Sequence, residues 1–201
     1  MSSFLRWYSA KLASNPLTVN VISTAALFGT GDAIAQALDK QDKPYDVART
    51  SRACVYGGVI FAPIATQWYP LINRLVHPNP AIQSLKRVAA DQLGFAPFVG
   101  IPLYFSCLGA MEGKSSSDIK ESLQSKYKDT LFTNWLVWPA VQMANFWVVP
   151  VQHRLLVVNI VSVAWNAFLS AKNAQVVHAV EAFEHAEETL EAKVEGVFKK
   201  S

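Results

Sequence analysis

At 201 residues the chain is sized for one domain or one compact multi-helix membrane unit, and 16% of it is charged, against about 25% in an ordinary soluble domain. A formal net charge of +3 is too slight to draw a nucleic-acid partner, and none is expected. Two cysteines and four histidines, in no paired ligand spacing, argue against a disulfide framework or a structural zinc site. No cofactor is expected.

The N-terminal segment 1–15, MSSFLRWYSAKLASN, carries Arg6 and Lys11 and no acid. Phe4, Leu5, Tyr8 and Leu12 fall on one helical face. That character suits a mitochondrial address, and it suits equally an interfacial helix ahead of a first span.

Five windows then hold no Asp, Glu, Lys, Arg or His: 12–31, 53–73, 92–111, 130–152 and 155–171. About 20 residues, at roughly 1.5 Å each, cross a hydrocarbon core of about 30 Å. A soluble helix would show a polar stripe every three or four positions. The expectation is an all-α integral membrane protein, with the membrane domain over 16–172. It would be a bundle of four kinked transmembrane helices, or five if 155–171 crosses rather than lying against the others. In a five-span arrangement the loops 39–52 and 112–129 share a side with the tail. That side carries twelve Lys or Arg and the other six, which points the richer side to matrix or cytosol.

From the first window onward Ala25, Gly29, Ala33 and Ala37 make a small-residue stripe that would admit a close neighbour helix. The stripe runs into Asp32 and Gln36, where apolar residues continue beyond the acid. A carboxylate at mid-bilayer costs about 2.5–3.5 kcal/mol on insertion scales, so a buried partner for Asp32, such as Arg74 or Arg154, is expected. Glu112 reads instead as a boundary acid. Asp91 and Gln92 open the third window. Pro63, Pro97, Pro102 and Pro139 lie inside windows, where they free carbonyls and bend helices. Cys54 and Cys107 fall on one membrane face of antiparallel spans. They read as small packing residues, with a redox-gated pair as the alternative. A short repeat relates Pro70–Leu75 to Pro150–Leu155, and at the same offset Gly29-x-x-Asp32 to Gly109-x-x-Glu112. It suggests a duplicated two-span unit of the kind that brackets transport pathways.

The fourth window contains NWLVWPAVQMANFWVVP. On a helix Trp135, Trp138, Gln142, Asn145 and Val149 share a face, an aromatic-and-amide seam turned toward other helices. The tail 173–201 changes composition. It carries six glutamates around Val176, Val180, Phe183, Leu190, Val194 and Val197, and reads as a soluble amphipathic helix or a partner-binding one. No enzyme is expected. Gly109-x-x-x-Gly113-Lys114-Ser115 is one residue short of a phosphate-binding loop and follows an apolar span rather than a strand, and no serine occupies a nucleophile elbow.

Trp135-x-x-Trp138-Pro139-x-x-Gln142-x-x-Asn145-Phe146-x-x-x-Pro150-x-x-x-Arg154, with Asn159 and Trp165-Asn166-x-x-Leu169-Ser170, resembles the signature of the Mpv-seventeen / twenty-two-kilodalton peroxisomal membrane protein family. Gly31-Asp32-x-x-x-Gln36, Trp68-Tyr69-Pro70 and Asp91-Gln92-x-x-x-Ala96-Pro97 resemble its earlier landmarks. The likeness covers about residues 10–172; the acidic tail departs from the short family pattern and is nearest to mitochondrial Sym-one-like members. It implies a four-span protein of the mitochondrial inner membrane, or alternatively of the peroxisomal membrane. It further implies a channel-forming, metabolite-conducting role linked to mitochondrial homeostasis, stress response and mitochondrial DNA maintenance. The partners expected are the lipid bilayer, small metabolites or ions, and a homo-oligomer or larger membrane complex. The inward polar set is Asp32, Gln36, Asp91, Gln92, Gln142, Asn145, Arg154, Asn159 and Asn166. Within it Asp32 and Arg154 are expected to serve gating or structural pairing, and Gln142 and Asn145 to line a path or tie helices together. The competing reading is a non-conducting scaffold in which this set only holds helices in place.

Overall fold

The computed structural model describes residues 3–38 and 44–164. Asn166, the end of the fifth window and the tail 173–201 lie outside the described residues. Every regular element within the described residues is helical: α1 (Ser3–Ser14), α2 (Pro16–Leu38), α3 (Val47–Val55), α4 (Ala62–Asn73), α5 (Pro80–Ala89), α6 (Ile101–Met111) and α7 (Ser116–Val148). An apolar helix α8 (Val151–Ala164) follows, opening on a 3-10 turn at Val151–His153. Among the described residues two helices are long and apolar enough to cross a membrane, Pro16–Leu38 and the unbroken run Pro80–Met111.

That unbroken run, and the one from Val47 to Asn73, exist because the prolines are absorbed rather than obeyed. Between α3 and α4 the backbone widens to π spacing over Tyr56–Phe61, and between α5 and α6 over Ala90–Gly100. Each π stretch ends two residues before a proline, Pro63 and Pro102, with the Ala62 amide bonded to Gly57 O and the Ile101 amide to Ala96 O. A wider turn carries the ring past the preceding carbonyls, where tight α spacing would clash. Pro139 stays inside α7.

The turn between α6 and α7 explains the sequence that mimics a phosphate loop. Gly113 takes φ 74°, and the amides of Gly113 and Lys114 bond Ala110 O and Gly109 O. This is the left-handed closure of a helix C-terminus that glycine makes without strain. Ser115 then caps α7, bonding reciprocally with Asp118. Hydrogen bonds from Ser115 hold the exposed Asp118 carboxyl below its usual range. Glu112 pairs with Lys114 at this turn, 2.6 Å apart.

The small-residue stripe meets the α3–α4 run. Cys54 Sγ lies where a Cβ on Gly29 would stand, and a Cβ on Gly58 would be 2.8 Å from Ala25 Cβ and 3.1 Å from Val21 O. Neither neighbour of Gly58 can rotate away. Gly58→Ala is therefore expected to push α2 off this contact at a cost of about 1–3 kcal/mol, read as a lower melting temperature in detergent. Gly94→Ala, with nothing within 4 Å of its Cβ, serves as the harmless control. Equal melting of the two variants would show that the α2 contact has slack.

The fold is inside-out for a soluble protein. A small apolar core of Ala62, Ala65, Tyr69, Ile72, Val88, Phe146, Leu155 and Val158 joins α4, α5, α7 and α8. Beside it Asn20, Thr24, Ser84, Arg87, Asp91, Gln92, Gln142, Asn145, Arg154 and Asn159 are also buried, while Ile22, Val59, Phe98, Phe132, Leu136 and Val148 each expose more than 60% of their surface. Water would not tolerate that arrangement over so wide an area; hydrocarbon outside and paired polar groups inside would.

Candidate functional site: a divided polar interior

The polar residues marked in the sequence do not form one continuous column. They gather into clusters at different meetings of elements, two of which Asn145 links.

At the end of α2, Asp32 accepts a charged bond from Arg49 Nε at 2.7 Å. Its other oxygen accepts from Gln36 Nε2 and Thr50 Oγ1, both at 2.7 Å. Gln36 also binds the Asp46 backbone, accepting from its amide at 2.7 Å and reaching its carbonyl at 3.0 Å. The partner expected for Asp32 was Arg74 or Arg154; the structure corrects this to Arg49. α3 lies directly beside Asp32, whereas Arg74 and Arg154 belong to the end of α4 and the start of α8. The α2–α3 junction is thus clamped by an acid whose basic partner is half exposed.

Deeper in the bundle, Asp91 sits within the continuous 80–111 helix rather than at its mouth. It accepts from Trp68 Nε1 at 2.8 Å, Gln92 Nε2 at 2.7 Å and Gln142 Nε2 at 2.8 Å. No cation pairs with it among the described residues. Both glutamines are held from behind: Gln92 Oε1 accepts from Asn134 Nδ2 at 2.7 Å, and Gln142 Oε1 from Asn145 Nδ2 at 3.0 Å. Trp135 Nε1 donates to Gln92 O at 2.9 Å. The α7 seam therefore ties α7 to the 80–111 helix and, through Trp68, to α4. Gln142 and Asn145 are buried in it, whereas Trp135 stays 42% exposed despite its bond.

Where α4, α7 and α8 meet, buried Arg154 donates to Val149 O (3.1 Å), Phe146 O (3.3 Å) and Asn73 Oδ1 (3.1 Å), and lies over the Phe146 ring. Pro150 stands in the break between α7 and α8, while Pro70, its counterpart in the sequence repeat, continues α4. Arg74 is correspondingly exposed where Arg154 is buried. The two halves of the repeat play different structural parts.

Two single ties complete the interior, Asn20 Nδ2 to Thr66 Oγ1 at 2.9 Å and Asn159 Nδ2 to Thr24 Oγ1 at 2.7 Å. Among the described residues the side-chain oxygens Oδ1 of Asn145 and Asn159 are buried without a hydrogen-bond partner. Cys54 and Cys107 are free thiols. Among the described residues no group of three His, Cys, Asp or Glu could hold a metal ion.

Sequence reasoning passed over Trp68, Asn73, Arg87 and Asn134 as polar partners. Trp68, Asn73 and Asn134 each lie beside a residue it did mark, but an indole or amide in an apolar run gives no sign of what it will bond, and Arg87 lies outside the uncharged windows.

A family model described as Mpv17 / PMP22 matches residues 109–170. Among curated relatives, the protein SYM1 of Kluyveromyces lactis is 48% identical, covering 87% of this chain and 91% of that protein. The SYM1 of Saccharomyces cerevisiae is 46% identical over 86% and 91%, and that of Gibberella zeae 45% identical over 87% and 100%. No solved structure matches. Identity of this level along nearly the whole length of the relatives means that the chain belongs to the Mpv17 / PMP22 family, among its Sym1 proteins.

Proposed function

We propose that the protein is a channel-forming, metabolite-conducting component of the mitochondrial inner membrane, without enzymatic activity, serving mitochondrial homeostasis and the metabolic stress response. Its helices form a bundle of four spans, or five with α8.

The observation that carries this reading is the placement of α7. Ile119 packs on Gly109 and Tyr127 Oη donates to Pro97 O at 2.9 Å, so the first third of α7 runs antiparallel beside α6. Lys120, Glu121, Lys126, Lys128 and Asp129 thereby stand level with the apolar window 92–111. Charges at that depth require water or a polar pathway. Between the two helices opens a cavity of about 190 Å³ whose lining includes Tyr104, Leu108, Lys114, Ile119, Ser122 and Lys126.

Purified protein in planar bilayers tests the proposal. Wild type is expected to conduct, and Lys126→Glu to shift the reversal potential in a salt gradient toward cation selectivity. Lys126 makes no ion pair among the described residues, so its replacement should leave the fold intact. A second reading, the non-conducting scaffold, is favoured by the closed bonding around Asp32 and Asp91. A well-folded but silent protein would select it.

A further inference from the structure

The end of α4 presents an imbalance of charge that its own carbonyls do not settle. Arg87, on α5, donates through Nη2 to Asn73 O at 2.9 Å and through Nε to Leu75 O at 3.2 Å. Arg154 reaches the side chain of the same residue, Asn73 Oδ1. Two guanidinium groups thus converge on one asparagine, and each arginine is only 4% exposed. Neither has a carboxylate partner among the described residues.

Their acceptors are carbonyls at the C-termini of α4 and α7. Each such terminus carries about half a negative charge, so two together offset about one of the two positive charges. A buried like-charged pair left with an excess of one is costly unless a further anion completes it. Donors remain for one: no hydrogen bond among the described residues uses Arg87 Nη1. The site also closes the second uncharged window, which ends at Asn73, so it lies at the margin of the apolar zone, within reach of solutes and headgroups.

We infer that Arg87 and Arg154, gathered at Asn73, form a binding site for a single phosphate or carboxylate group. The guanidinium fork matches such oxyanions in shape as well as charge. The site is separate from the α7 face invoked for conduction and does not depend on it.

The test uses the full chain in nanodiscs of neutral phosphatidylcholine. Inorganic phosphate, titrated at constant ionic strength against chloride, is expected to raise the melting temperature saturably, by about 3–5 °C at tenfold excess over Kd. Arg87→Lys keeps the charge but loses the fork, and should weaken the phosphate response about tenfold. In the wild type, phosphate should also protect the Arg87 guanidinium protons from exchange with solvent, read by NMR, while those of exposed Arg74 exchange freely. Nanodiscs containing phosphatidylglycerol without added phosphate identify the source. Protection of Arg87 there assigns the site to a lipid headgroup, and protection by phosphate alone assigns it to a soluble anion. Absence of protection in both arms, or equal protection of Arg74, overturns the inference.

Discussion

Asp91→Ala is expected to lower the melting temperature in detergent by about 10 °C. The substitution removes an acceptor shared by Trp68, Gln92 and Gln142. Each buried donor left without a partner costs about 1–3 kcal/mol. Water entering the vacated space relieves part of this, leaving about 3–5 kcal/mol, and a chain of this size loses about 2–4 °C per kcal/mol. Simple rotation of the glutamine amides cannot repair the loss. Turning Gln92 to offer its oxygen strands Asn134, and turning Gln142 strands Asn145. For the same reason Asp91→Asn recovers only part of the loss, since its amide meets donors with a donor. An unchanged melting curve for Asp91→Ala would mean that the network contributes nothing net and that apolar packing alone holds α4, α7 and the 80–111 helix together.

The same network shows what could be read in advance. Gln142 and Asn145 were legible because amides at three-residue spacing in an uncharged run share a helix face. Asp91 and Asp32 were legible because acids beside apolar runs demand an explanation. Their partners were not legible. Spacing places a residue on a face but does not say which helix returns to meet it, and Asp32 met the nearby Arg49 rather than a distant arginine. Uncharged windows likewise locate apolar length but not register. They gave no sign that Ser116–Asp129 belongs to the same helix as the fourth window, or that this charged stretch would lie beside α6. The prolines were expected to bend their helices; instead π spacing, a response available only where the wider turn can pack, leaves the helices unbroken through Pro63, Pro97 and Pro102, and Pro139 stays inside regular α7.

Arg154→Met is expected to cost about 2–4 kcal/mol, because it leaves Val149 O, Phe146 O and Asn73 Oδ1 without their donor. Methionine fills much of the same aliphatic volume, so the loss reports bonding rather than a cavity. Arg154→Lys can satisfy one or two of the three acceptors and should recover about half. Hydrogen exchange should quicken around the Pro150 break, at the end of α7 and the start of α8, before it quickens at the α2–α3 junction. Asn145 connects this cap to the acid cluster: its Nδ2 serves Gln142 Oε1 and, at 3.4 Å, Arg154 O. Combining Asp91→Ala with Arg154→Met should therefore be less damaging than the sum of the two, with a coupling of about 1 kcal/mol or more. Strict additivity would separate the cap from the acid cluster and make them independent clamps, whereas coupling would make the Asp91–Gln142–Asn145–Arg154 line one mechanical unit across the bundle.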